Sequence, residues 1–320
     1  MPPLTTIRAF NASWRPTYTP VAVFVGGTSG IGQGIVQAFA KRTNGNAHII
    51  LVGRNAAAAE RILGSLEKPS AAPMPTREFM HCDLTLVANA KRTTAAIRAR
   101  FPGGAVNFVF LTAGAVSLKA SEITPEGVEY QVAQLYYSKW AFIDGLLPAL
   151  RAAREAGQDA RVAAVHTAGR GTPVDVADLG LKKTLAGGMR GMGKVFGQVA
   201  SYQDLMAEGF AAHDTTGITF THAFPGSVST PLMANSPSAA LRVMRHLRWV
   251  IMPLSMLRAK SIDDVGDCQL YGLLHAPAGA SRYGGDGDDM GLGGQGDGGW
   301  DKAREALWTH TEEIVKSVQV

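Results

Sequence analysis

The 320-residue sequence has little cysteine: Cys82 and Cys268 are its two, far apart in the chain. That excludes a disulfide framework or a paired-thiolate zinc site, and makes a reducing compartment the expected one. No metal is expected. Long apolar runs are missing too, since no stretch reaches the roughly 18 unbroken apolar residues that a membrane helix requires. The first twenty residues, MPPLTTIRAFNASWRPTYTP, lack the apolar core of a signal peptide. The expectation is therefore a cytoplasmic protein with no integral membrane segment. The net charge is +5, yet no Lys/Arg run or aromatic-basic interleaving accompanies it, which argues against a nucleic-acid partner. With 46% hydrophobic against 18% charged residues, the chain can bury a large core.

What is present is alternation. From Pro20 onward, short β-branched runs alternate with helical stretches, the pattern of a parallel sheet covered on both faces. Strands are predicted at Val21 to Val25, His48 to Val52, Glu78 to Cys82, Val106 to Leu111, Arg161 to His166 and Ile218 to Ala223, with a seventh near Ala280 to Tyr283. Helices are predicted to start near Ile31, Ala56, Val87, Glu126 and Val195, and the proline-rich stretch Lys68 to Thr76 reads as a surface loop. This is the fold class α/β, with about seven strands in one doubly wound sheet, and residues 1–320 are read as a single domain. Two segments stand apart. Leu241 to Leu257 spaces Arg242, Arg245 and Arg248 by three among apolar residues, so 232–260 is read as a lid or subunit-interface helix, with core packing and membrane-surface attachment as alternatives. Residues 284–299 hold nine glycines and four aspartates and are read as a loop. Their opening GGDGDD imitates a calcium-binding repeat, but such repeats work in stacked copies and this one is single.

The strand VAVFV runs directly into GGTSGIGQGI, which spaces Gly26, Gly30 and Gly32 as G-x3-G-x-G before a helix. One glycine permits the sharp turn, another the approach of backbone amides to a pyrophosphate, and Gly32 the close helix-sheet contact, while the helix start attracts anions. Gly26, Thr28, Ser29, Gly30, Ile31 and Gly32 are the expected cradle of a Rossmann-type dinucleotide site. At the end of the second strand, where an NAD-binding chain usually places an acid for the ribose hydroxyls, stands Arg54. A guanidinium pairs with a ribose 2′-phosphate, so NADP(H) is the expected cofactor.

GGTSGIG, LVGR, CDL at Cys82 to Leu84, TAG at Thr112 to Gly114 and PGSVSTP at Pro225 to Pro231 together resemble the short-chain dehydrogenase/reductase family, in order and spacing from about Val21 to Pro231. The resemblance implies that Asp83 contacts the adenine, that Ala113 and Gly114 pass close to the cofactor, and that Pro225, Gly226 and Val228 border the nicotinamide. Within the family the chain looks most similar to fungal members with DLGLKKT and a later DLM-x-E followed by THA-x-PG, here Asp178 to Thr184 and Asp204 to Gly226.

The family's usual catalytic pair, Tyr-x-x-x-Lys, has no match after Thr167: Lys194 follows Arg190 by four and Tyr202 precedes Met206 by four. Thr167 matches the family's serine and is expected to orient a substrate oxygen, with His166 either a second polar contact or a structural residue. Tyr202 is one candidate proton donor, and packing is its alternative. The family's asparagine is missing from QVAQLYYSKWAF, where Tyr136 and Tyr137 are further candidates against aromatic packing. Three readings follow. One is an NADP(H)-dependent oxidoreductase acting on a carbonyl or hydroxyl of a small organic substrate, in secondary metabolism. Another is a cyclase or isomerase on the same fold, and the last a nucleotide-sensing protein. The resemblance also suggests a homo-oligomer.

Overall fold

The β-branched runs become strands whose two faces are both buried. Along β1 (Val21–Val25), Val21, Val23 and Val25 enter one apolar layer while Ala22 and Phe24 enter the other, the period-two alternation of a central strand. The computed structural model describes residues 2–101, 104–114, 122–186, 189–228, 259–293 and 298–320. In chain order the elements are α1 (Leu4–Ser13), β1, α2 (Gly30–Arg42), β2 (His48–Gly53), α3 (Ala56–Ser65), β3 (Arg77–His81), α4 (Val87–Arg100) and β4 (Phe108–Leu111). A short helix α5 (Tyr130–Val132) passes through a π-turn (Ala133–Tyr137) into α6 (Ser138–Glu155). Then come β5 (Arg161–Val165), α7 (Lys182–Ala186), α8 (Met189–His213), β6 (Thr219–Ala223), α9 (Ile262–His275), β7 (Gly279–Tyr283) and α10 (Gly298–Ser317).

The strands form one seven-stranded sheet in the order β3-β2-β1-β4-β5-β6-β7, every pairing parallel. One face is covered by α4, α6, α8 and α10, the other by α2, α3 and α9, with Phe10 and Trp14 of the N-terminal segment packed against it. This is the doubly wound architecture, and it gathers the loops after β1, β2, β4, β5 and β6 at one sheet edge, where such folds bind ligands. Helices α2 and α9 cross in backbone contact: a Cβ on Gly34 would lie 2.0 Å from the Ile262 carbonyl oxygen, and one on Gly266 2.2 Å from that of Gly34.

Several boundaries differ from the sequence reading. β4 opens at Phe108 rather than Val106, because the Asn107 side chain replaces ladder bonds: Val21 N donates to Oδ1 at 2.9 Å, while Nδ2 donates to Gln158 Oε1 and to the Asp159 carbonyl. The helix expected near Glu126 starts at Tyr130. Glu129 caps it there, accepting from the Gln131 and Val132 amides. Glu126 instead caps a different helix, since the Val87 and Ala88 amides donate to its two oxygens at 2.6 and 2.9 Å, and Leu86 at the N-cap of α4 has no side chain able to do so. The helix expected from Val195 begins six residues earlier, at Met189. The Gly/Asp-rich stretch is turn and bend through Gly293, but its last two residues, Gly298 and Gly299, already belong to α10. The expected lid over 232–260, with Arg242, Arg245 and Arg248, lies outside the described residues except for 259–260. No described helix is long and apolar enough to cross a membrane.

The cap supplied from 38 residues away predicts that Glu126→Ala destabilises the protein by about 1–2 kcal/mol, the range for losing an N-cap acceptor. Urea unfolding measures it. A change below roughly 0.3 kcal/mol would mean that water replaces the carboxylate without loss.

Candidate functional site

The glycine turn is built by close approach. Gly26 has φ +92°, and a Cβ on it would sit 2.5 Å from the Ala113 amide nitrogen and 2.9 Å from Thr112 Oγ1. A Cβ on Gly32 would sit 2.4 Å from both the Gly26 carbonyl oxygen and Thr112 Oγ1. Gly30, at φ +54°, opens α2, and Ser29 at its N-cap makes no side-chain capping bond, so the first-turn amides have no side-chain acceptor among the described residues. The Thr112 and Ala113 amides both donate to the Val25 carbonyl, at 2.8 and 3.0 Å, which holds Ala113 and exposed Gly114 over the turn. Thr28 packs on Gly53, where a Cβ would touch its Cγ2 at 3.4 Å. Exposed Arg54 follows directly, and half-buried Asp83 lies two residues past the end of the neighbouring strand β3, its Oδ1 accepting from Thr85 N. Pro225 is buried, Gly226 has φ +76°, and Val228 forms a parallel bridge with Lys260. A glycine cradle against a helix start with no side-chain cap, and a guanidinium at the next strand end with no partner among the described residues, fit a phosphorylated dinucleotide.

Thr167 and His166 follow β5 at the same edge. The His166 amide donates to the Ala223 carbonyl at 2.9 Å, and its Nδ1 lies 2.9 Å from Thr167 Oγ1. The candidate tyrosines are brought together, but with each other. Tyr136 packs edge-to-face on Tyr137 and on Tyr202, with centroids 5.2 Å apart in both cases. Their hydroxyls are all engaged: Tyr136 with Thr311 Oγ1 at 2.9 Å, Tyr137 with His310 Nε2 at 2.8 Å, and Tyr202 donating to the Leu179 carbonyl at 3.1 Å. Burial raises the pKa of all three above the ordinary phenol value. No bond or ring contact joins them to Thr167 among the described residues.

A polar network that sequence reasoning did not assemble lies behind Thr167 instead. Lys139, fully buried on α6, donates to Gln203 Oε1 at 3.2 Å and, at 3.4 Å, to the Val165 carbonyl. Burial without a carboxylate partner pulls its pKa down to about 7. On α8, Asp204 Oδ1 lies 2.6 Å from His222 Nδ1 and 2.9 Å from Arg282 Nε, and its Oδ2 accepts from the Gly169 amide at 3.2 Å. One turn on, Glu208 accepts from Arg282 Nη2 and from Trp300 Nε1, both at 2.8 Å. The DLM-x-E run therefore places two carboxylates at i and i+4 to hold one buried arginine. The legible signal was that spacing of acids in an apolar helix. Their partners on β6 and β7 had none. His222 Nε2, fully buried, has no hydrogen-bond partner among the described residues. Asp178 closes the DLGLKKT run as a cap, accepting from the amides of Lys183 and Thr184 and from the Thr184 hydroxyl.

Residues 20–167 match the model of the family described as short chain dehydrogenase. An oxidoreductase of Emericella nidulans is 31% identical over 86% of this chain and 78% of its own length. An oxidoreductase of Emericella variicolor is 30% identical over 85% of this chain and 74% of its own. Among solved structures, an NADPH-bound carbonyl reductase from chicken fatty liver matches with a TM-score of 0.58, 16% identity, and coverage of 85% of this chain and 98% of its own. A 3-ketoacyl-(acyl-carrier-protein) reductase from Brucella melitensis complexed with NADH matches with a TM-score of 0.56, 18% identity, and coverage of 85% and 98%. At those identities the structural likeness speaks for the fold.

Proposed function

This chain belongs to the short-chain dehydrogenase family, and on that premise we propose that it is an NADP(H)-dependent oxidoreductase acting on the carbonyl or hydroxyl of a small organic substrate. The observation that carries the cofactor preference is Arg54, exposed directly after β2 and next in the chain to Gly53, on which Thr28 of the glycine turn packs. An acid there would repel a 2′-phosphate, whereas the guanidinium offers two parallel donors. In this reading Gly26, Ser29, Gly30, Ile31 and Gly32 receive the pyrophosphate, Asp83 the adenine side, Ala113 and Gly114 the ribose side, and Pro225, Gly226 and Val228 the nicotinamide. Thr167 orients the substrate oxygen through its hydroxyl. Bound NADP(H) supplies the hydride chemistry. A role in secondary metabolism, in the cytoplasm, rests on the likeness to fungal oxidoreductases and on the sequence, and self-assembly on the family.

A fluorescence titration with NADPH and NADH tests the cofactor reading. Arg54→Ala is expected to weaken NADPH binding about 10- to 100-fold, the worth of a charge-assisted pair, and to leave NADH nearly unchanged. Equal effects on both nucleotides would remove the 2′-phosphate argument, and no binding of either would sink the oxidoreductase reading.

A second reading, a cyclase or isomerase without net redox change, is favoured by one observation: the hydroxyls of Tyr136, Tyr137 and Tyr202 are all held by structural partners. Substrate turnover with constant absorbance at 340 nm would select it.

A further inference from the structure

The family's proton-transferring tyrosine has no counterpart here, but one titratable side chain stands at the sheet edge beside Thr167. His166 continues β5 and lies on the face where Val162 and Ala164 of that strand pack. It is half-buried, with its ring near-parallel to that of Phe196 on α8, at 6.1 Å and 9°, and to that of His222 on β6, at 6.5 Å and 25°. Nδ1 is engaged by Thr167 Oγ1 at 2.9 Å. No partner holds Nε2 among the described residues.

We propose that His166 takes the proton of a substrate hydroxyl at Nε2, with Thr167 fixing its tautomer and Lys139 and the Asp204–His222 pair as positioning residues behind it. The proposal rests on the oxidoreductase reading above. With its own proton on Nδ1 and donated to Thr167 Oγ1, the neutral ring carries its lone pair on Nε2. In alcohol oxidation the substrate O–H bond breaks and an N–H bond forms at Nε2. The freed electron pair would become the second C–O bond, and bound NADP+ would supply the acceptor for the hydride that carries away the C–H pair. The imidazolium then releases its proton to water. Reduction of a carbonyl runs the same steps backward.

The surroundings keep the ring ready as a base. Burial, the charge of Lys139 on α6 and the His222 ring on β6 hold the His166 pKa well below the ordinary imidazole value. Phe196 on α8 adds no charge, and the carboxylate of Asp204 is shared between His222 and Arg282 on the far side. His222 is likewise kept mostly neutral by burial, against the pull of Asp204. A ring unprotonated at neutral pH has its lone pair available for a substrate proton, at lower basicity than free imidazole.

The test reads the ring directly. Long-range 1H–15N spectra of the full-length protein, with the His166 signal identified by its loss in His166→Gln, report tautomer, titration midpoint and response to NADP+. Expected are a proton on Nδ1, a midpoint below that of free imidazole which rises in Lys139→Met, and a shift of the His166 signals when NADP+ saturates the protein. A proton on Nε2, a midpoint indifferent to Lys139→Met, or signals unmoved by bound NADP+ overturns the proposal. If NADP+ does not bind, the oxidoreductase reading itself has failed, and the proposal falls with it. A panel of small alcohols with NADP+, followed at 340 nm, gives the second readout: His166→Gln should lower the rate roughly 10²- to 10⁴-fold at unchanged NADP+ affinity, the usual worth of a general base. Tyr202→Phe should leave it within a few-fold, and the reverse pattern also overturns the assignment.

Discussion

Asp204→Ala is expected to lose about 3–5 kcal/mol of stability, the cost of stripping a buried charge of its partner. Asp204 and Arg282 are 3% and 5% exposed, so solvent offers the guanidinium little in exchange. Two donors, His222 Nδ1 and the Gly169 amide, lose their acceptor at once, and the Arg282 guanidinium loses its ion-pair partner at 2.9 Å. Among the described residues Arg282 keeps Glu208, whose other oxygen is already committed to Trp300, and the Trp300 ring, 5.3 Å from its guanidinium carbon. Asp204→Asn retains the shape and one acceptor and should lose roughly half as much, about 1.5–3 kcal/mol, as expected when the charge assistance is removed but a hydrogen bond survives. Urea melts of both variants decide the point. A loss under about 1 kcal/mol for alanine would mean that water reaches the network and that Asp204 does not hold Arg282 in place.

Gly32→Ala should abolish dinucleotide binding, with a drop of at least about 100-fold, since a missing near-ångström fit of a phosphate cradle costs several kcal/mol. The added Cβ meets two fixed atoms, the Gly26 carbonyl oxygen and Thr112 Oγ1, each at 2.4 Å. Gly26 has little room to give, because the strand end opposite is so close that a Cβ on Gly26 would lie 2.5 Å from the Ala113 nitrogen. The turn must therefore open, at about 1–3 kcal/mol of overpacking strain, and the amides at the start of α2 move with it. Fluorescence titration with NADPH beside thermal unfolding separates the two effects. Wild-type affinity in a folded Gly32→Ala variant would place the dinucleotide elsewhere.

The strands were legible because a sheet covered on both faces writes long β-branched runs, and HIILV at His48 to Val52 could be little else. The cradle was legible because its function is steric and local. Glu126 was misread because a carboxylate near a helical stretch looks like a helix start, and its true partners lie 38 and 39 residues upstream. The tyrosines could be found by type, but what engages the hydroxyls of Tyr136 and Tyr137 is Thr311 and His310 of α10, and no local pattern encodes that contact. Lys139 carried a signal, a lone cation between apolar neighbours, yet only the fold sets its Nζ behind His166. Helices α1, α7, α9 and α10 were not predicted: α1 precedes and α10 follows the strand-helix alternation from Pro20 to Tyr283, while α7 and α9 lie inside it.

The hub around Asp204 also imposes an order on biogenesis. Its contributors are spread over the chain at Gly169, Asp204, His222 and Arg282, so no nascent fragment ending before β7 can complete it. At synthesis rates of about 5–20 residues per second, the 78 residues from Leu205 through Arg282 take roughly 4–16 s to make. During that interval the carboxylate has no guanidinium to face, α8 cannot bury it without loss, and the edge of β6 stays open. The half of the sheet that would hold the cofactor's phosphates can form on the ribosome while the half that would carry out proton transfer waits for the last strand.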